Sequence, residues 1–183
     1  KKLLPAQSEI GANDAIDLVK MFAGTWFSLY AYDKSELPHA WLDKTQVELR
    51  ADELGSALAK LKADLMEKWE ATELFGQERQ AGNLAGIVGN VMQSVFGDDA
   101  YPTVEEKAAH LLYFIIKNHP FNDGNKRSGA FAFVWFLQRA GKLDISRLSP
   151  EALTALALLI AESNPKDKDR MVGLVMLLLN SPR

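Results

Sequence analysis

Leu54, Leu58, Leu61, Leu65 and Trp69 recur at helical spacing, which predicts one amphipathic helix from about Gln46 to Glu73. An earlier series of Ile16, Val19, Met21, Phe22, Trp26, Leu29 and Tyr30 predicts a helix over Asn13–Tyr32 with a wide buried face. A loop follows to Leu42, with Pro38 and a lone His39 that reads as structural. Further on, Val104, Ala108, Leu111, Leu112, Ile115 and Ile116 line one face of a helix from Val104 to Asn118. Thr103 and Glu106 start that helix as a capping box. From Asn125 to Ala140 the apolar residues Ala130, Phe131, Phe133, Val134, Trp135, Phe136 and Leu137 surround the axis, as in a helix buried on all sides. Ser149-Pro150 and Asn164-Pro165 each place a capping side chain before a proline at the first helical position. They predict helices to about Glu162 and Asn180.

The pattern breaks only between Gly76 and Pro102, where Gly76, Gly82, Gly86, Gly89 and Gly97 are scattered among Leu84, Ile87, Val88, Val91, Met92 and Val95. Such glycine spacing disfavours a helix and leaves room for a short hairpin or irregular flap within Asn83–Phe96. The expected fold is all-α, a bundle around the buried 125–140 helix. It reads as a single domain over 1–183, with N-terminal helices to 74, a core over 75–140 and C-terminal helices from 141.

Composition narrows the function. A chain of 183 residues that is 48% hydrophobic can bury one substantial core. Its net charge of −3 and lack of a long basic block argue against nucleic acid and anionic membrane surfaces as partners. The absence of cysteine rules out a disulfide framework and thiolate metal sites, and fits a reducing, cytoplasmic setting. Met171–Leu179 is too short to span a bilayer. The N-terminus lacks the order of a signal peptide, and the chain opens Lys1-Lys2 without methionine, as a piece of a longer protein would.

The chemistry concentrates in His119-Pro120-Phe121-Asn122-Asp123-Gly124-Asn125-Lys126-Arg127-Ser128-Gly129. Pro120 removes a backbone donor and turns His119 away from helical angles, so the run is a loop leading into a new helix. A helix N-terminus offers unpaired N–H groups and partial positive charge, and small residues there let phosphate approach closely. Each residue also has a plainer reading. His119 would cap its helix, Asp123 would be an N-cap, Gly124 would fit a tight turn, Asn125 would cap locally, and Lys126 and Arg127 would be surface charges. Phe121 reads as a core anchor and His110 as structural. Taken together, the residues point to phosphate held beside a histidine. Asp123 suits Mg²⁺, and Arg127 is the residue able to make bidentate phosphate contacts. Walker-type, GxSxG, HExxH and strand-linked GxGxxG patterns are absent.

The stretch His119 to Arg127 resembles the signature HPFx[DE]GN[GK]R of the Fic/Doc family. The resemblance extends more weakly over Phe75–Leu137, including Tyr101-Pro102-Thr103 and Lys117-Asn118, and the first seventy residues resemble Fic modules found behind RhuM-type domains. It implies a Fic-fold helical core with a flap before the motif. It also implies transfer of AMP from ATP to a Ser, Thr or Tyr hydroxyl of a target protein. His119 would then be the base, and Asp123 would hold Mg²⁺. Asn122, Gly124, Asn125, Lys126 and Arg127 would bind the nucleotide phosphates, while Phe121 would anchor the loop. The flap would align the target's backbone by β-augmentation.

Three positions depart from the family's commonest form. Lys126 replaces a second glycine, as in Doc-like members, some of which transfer the γ-phosphate. Ala130 stands where many members carry a second arginine. The family's inhibitory pattern [ST]xxxE[GN] is missing, so any restraint would come from an antitoxin protein in trans or from a segment outside this sequence. The alternatives to an adenylyltransferase are therefore a Doc-like kinase, an inactive Fic-fold binding module, or a structural helical domain whose loop is only a well-capped turn.

Overall fold

A computed structural model describes residues 47–144 and 148–180. The expected helix over 13–32 and the loop with His39 lie outside the described residues. Among these, six α-helices and one two-stranded hairpin follow in order. They are α1 (Ala51–Glu67), α2 (Asn83–Met92), β1 (Ser94–Val95), β2 (Asp98–Asp99), α3 (Val104–Asn118), α4 (Asn125–Arg139), α5 (Pro150–Glu162) and, after a 3₁₀ turn at Pro165–Asp167, α6 (Lys168–Asn180). The mostly helical fold matches the expectation, and the caps act as read. The Thr103 and Ser149 hydroxyls accept from the backbone N–H of Glu106 and Ala152, and the Asn164 side chain accepts from Lys166 N–H.

α3 packs against α4, α2, α5 and α6, and α4 also against α1 and α5. The expected buried helix, α4, therefore shares the centre with α3. At Gly129 the two are tightly packed: a Cβ there would lie 3.0 Å from Ile116 Cγ1 and 3.3 Å from Ile115 Cγ2. The motif run sits at their junction, so the central packing directly sets the spacing across the site.

Two expectations are corrected. α1 is shorter than the apolar series suggested, beginning at Ala51 after extended Arg50 and ending at Glu67. Trp69 does not extend its buried stripe. It takes φ 60° and is 94% exposed, because the chain closes the helix there, with Trp69 N–H on the Met66 carbonyl and Glu70 N–H on that of Leu65. Second, Asn83–Met92 is a helix and the hairpin lies just beyond it, at Ser94–Asp99. Leu84, Ile87, Val88 and Val91 are all buried along one face of α2, and that burial outweighs the intrinsic cost of Gly86 and Gly89. At its start, the Glu78 side chain accepts from Leu84 N–H at 2.7 Å. The hairpin turns through Phe96 and Gly97, both at positive φ, the signature of a type I′ turn. It is fastened to α3 by Lys107, buried at 6% exposure, which donates to the Asp99 carboxylate at 3.0 Å and to the Tyr101 carbonyl.

Candidate active site

α3 ends at Asn118, and His119 follows at φ 50°, ψ 59°, a left-handed conformation that costs a non-glycine residue about 1 kcal/mol. Glycine usually fills this place after a helix. The loop it opens is pinned from the segment that follows α1. Arg79 N–H donates to the Pro120 carbonyl at 2.8 Å, Asn122 N–H to the Gln77 carbonyl at 2.8 Å, and Gly76 N–H to the Asp123 carbonyl at 3.1 Å. From inside the loop, the Asn125 side chain accepts from Phe121 N–H and donates to the Phe121 carbonyl, both at 2.9 Å. Phe121 is buried at 3% exposure. It is the anchor that the sequence suggested.

The side chains depart in detail from their sequence readings. Asp123 is not the N-cap of α4. That residue is Gly124, at φ 80° with no side-chain cap, while the Asp123 carboxylate stands 3.6 Å from Arg127 Nη2. Asn125 uses its amide within the loop, so only its backbone N–H is left to join an anion cradle. The Asn122 amide donates to Gln77 Oε1 at 2.9 Å. Arg127 is not a loose surface charge: Nη1 donates to the Glu70 carbonyl at 2.8 Å, and the guanidinium lies 4.7 Å from the centroid of the Phe75 ring. The first intrahelical bond of α4 runs from Ser128 N–H to the Gly124 carbonyl at 2.8 Å, so the helix entrance carries the partial positive charge of an N-terminus.

His119 is exposed at the rim of this loop. Its pKa is nonetheless held below the ordinary 6.5, first by lost hydration around the ring and then by the positive charges of Lys126, Arg79 and Lys117. The imidazole is therefore neutral near pH 7 and stands in a cationic neighbourhood. His110, by contrast, is buried, stacks on Tyr101 at 3.5 Å between centroids and bonds through Nδ1 to the Glu106 carbonyl. It is structural, as expected. Ala130 is fully buried, so α4 offers no second cation one turn beyond Arg127.

Residues 54–137 match the Fic/DOC family. This stretch is a Fic/Doc domain. The chain is also 42% identical over 82 residues to the protein named Toxin Doc from Mycolicibacterium smegmatis (strain ATCC 700084 / mc(2)155), an alignment covering 40% of this chain and 62% of that protein. The chain thus spans less than two thirds of that relative's length. No solved structure matches it significantly. Among the described residues, no helix is long and apolar enough to cross a membrane.

Within the Fic/Doc domain, sequence reasoning overlooked the segment that braces the motif. Phe75, Gln77 and Arg79 bear on the loop, and Glu70 on Arg127 in the first turn of α4, from across more than forty positions, and nothing periodic marks them. Phe75 followed by Gly76, outside any helical series, was the one visible hint. The donor set suits a nucleotide-bound metal but not an independent one. Among the described residues no group of three or more His, Cys, Asp or Glu could hold an ion, so Mg²⁺ here would rest on Asp123 together with phosphate oxygens.

Proposed function

We propose that this Fic/Doc domain transfers a phosphorus-containing group from ATP to a protein hydroxyl, with His119 as the base. The observation that supports this most is a histidine held, at a conformational cost, on the same braced loop that opens a helix N-terminus beside Arg127. A neutral imidazole accepts a proton at neutral pH, and the helix end with its arginine suits polyphosphate.

In the first reading the group is AMP. An imidazole nitrogen of His119 takes the hydroxyl proton as the hydroxyl oxygen bonds to the α-phosphorus. The bond from that phosphorus to the oxygen bridging to the β-phosphate breaks, and pyrophosphate leaves. In the second reading the same oxygen bonds to the γ-phosphorus and ADP leaves. Lys126, in the Doc-like place, and the buried Ala130 favour that second reading. In both, Arg127 and the backbone N–H groups of Gly124, Asn125 and Lys126 bear on phosphate oxygens, with Asn122 at the loop's outer edge. Asp123 would hold Mg²⁺, which when bound neutralises phosphate charge. The Ser94–Asp99 hairpin takes the place of the flap and would pair with the target's backbone. The similarity to a protein named Toxin Doc supports a toxin role, restrained by an antitoxin protein in trans.

The test is incubation of the chain with Mg²⁺, candidate targets and ATP labelled at either the α- or the γ-phosphate. Target labelled from the α-position marks AMP transfer, and label from the γ-position alone marks a kinase. Label from neither, with no nucleotide binding by calorimetry, would leave a binding module in place of an enzyme. His119→Ala should abolish transfer, and full activity in that variant would sink the base assignment.

A further inference from the structure

We infer that Phe75 is a positioning residue, whose buried ring, with the Glu70 carbonyl, fixes Arg127 and the Gly124 helix entrance as one anion receptor. The inference deepens the proposed function and rests on it for the identity of the anion. Phe75 is wholly buried, and its ring touches both parts of the receptor. One contact is with Arg127, whose Cζ lies 4.7 Å from the ring centroid. The other is with the entrance of α4, where a Cβ on Gly124 would fall 2.3 Å from Phe75 Cδ2 and 2.4 Å from Cε2. The backbone repeats the link, since Phe75 bridges Asp123 and Gly76 N–H donates to the Asp123 carbonyl.

The chemistry of the contact explains why a ring stands there. The Arg127 side chain is 12% exposed, so its charge has lost most of its water and needs replacement solvation. The Glu70 carbonyl accepts one N–H. An aromatic face stabilises the remaining charge through its quadrupole, and it does so without occupying an N–H donor, leaving the fork's hydrogen bonds for an anion. A carboxylate in the same place would neutralise the fork, and an aliphatic side chain would fill space without solvating the cation. Asp123, 3.6 Å away, lies beyond hydrogen-bonding distance and balances the charge only loosely. The strained, exposed Trp69 fits this picture. Closing α1 at that point is what carries the Glu70 carbonyl and Phe75 to the motif loop.

The experiment compares wild type, Phe75→Leu, and chains with 4-fluoro- or 3,4,5-trifluorophenylalanine at position 75. Phe133→Leu, at an equally buried core position on α4, is the control for packing loss. The first readout is the Arg127 Nε–Hε resonance, assigned by its loss in Arg127→Lys, which the ring should shield and Phe75→Leu should release. The second is the affinity for tripolyphosphate and for ATP with Mg²⁺. Phe75→Leu should weaken both by roughly tenfold, and fluorination should weaken them stepwise with little change in melting temperature. Phe133→Leu should lower the melting temperature and leave affinity unchanged.

An Arg127 resonance that ignores Phe75→Leu, or affinities that ignore both Phe75→Leu and fluorination, would overturn the inference. Tripolyphosphate binding that follows this order without any group transfer would uphold the receptor and reject the transferase. A wild-type chain that binds neither ligand would reject both.

Discussion

His119 occupies a place where helix ends favour glycine, and the fold bears the conformational cost of a side chain there. Its depressed pKa has a direct consequence for rate. If the neutral imidazole is the base, transfer rises with pH through the folded-state pKa, so the acidic limb of the pH profile lies below 6.5. Arg79 contributes to that depression by its charge, while its tie to the loop is through the backbone N–H. Arg79→Gln should therefore leave the loop in place, raise the His119 pKa and move the acidic limb upward. Titration of the His119 ring by NMR, run beside the kinetic profile, checks both. A limb that stays put while the ring pKa rises would mean that another group controls the rate. The sign for stability follows the same linkage. A histidine whose pKa is lower in the folded than in the unfolded state contributes stability above 6.5, and that contribution is lost as pH falls through the folded pKa.

At the scale of elements, α2 shows burial overriding propensity. Gly86 and Gly89 are exposed on its outer side, and a Cβ at either would meet nothing within 4 Å. Gly86→Ala and Gly89→Ala should each stabilise the protein by about 0.5–1 kcal/mol, read as a rise in the urea midpoint at constant slope. A loss of stability in either would mean that this face is packed against something. The same helix marks the limit of what the sequence disclosed. Thr103, Ser149 and Asn164 announced their helices because capping is local, fixed within three residues. The glycines of α2 misdirected the reading because the force that orders this segment, burial of Leu84, Ile87, Val88 and Val91, comes from the rest of the fold. Trp69 failed for a related reason: its helix stops where the chain must turn to bring the Glu70 carbonyl to Arg127, fifty-seven positions further on. The motif itself was legible as a contiguous run. Its brace was not, since the hydrogen bonds that Gly76 and Arg79 donate to the loop and Gln77 accepts from it leave no spacing to read.

Across the whole molecule, the site depends on how α3 and α4 meet. The motif loop spans residues 119–124 between them, too short to absorb much change in their separation. Gly129 sets that separation, with two β-branched side chains of α3 already within 3.3 Å of where its Cβ would stand. Isoleucine has little rotamer freedom on a helix, so neither neighbour can step aside, and the helices themselves must part. Gly129→Val should cost about 2 kcal/mol of stability, measured by denaturant unfolding. It should also lower transfer by more than the unfolded fraction accounts for, because the parted helices stretch the loop holding His119 and Gly124. Leu153→Ala provides the comparison. Leu153 is fully buried on α5, outside the α3–α4 seam, and its truncation should cost about 2–5 kcal/mol while leaving turnover per folded molecule near wild type. Equal turnover per folded molecule in both variants would show the loop keeping its geometry independently of the central pair, through the brace from residues 70–79 alone.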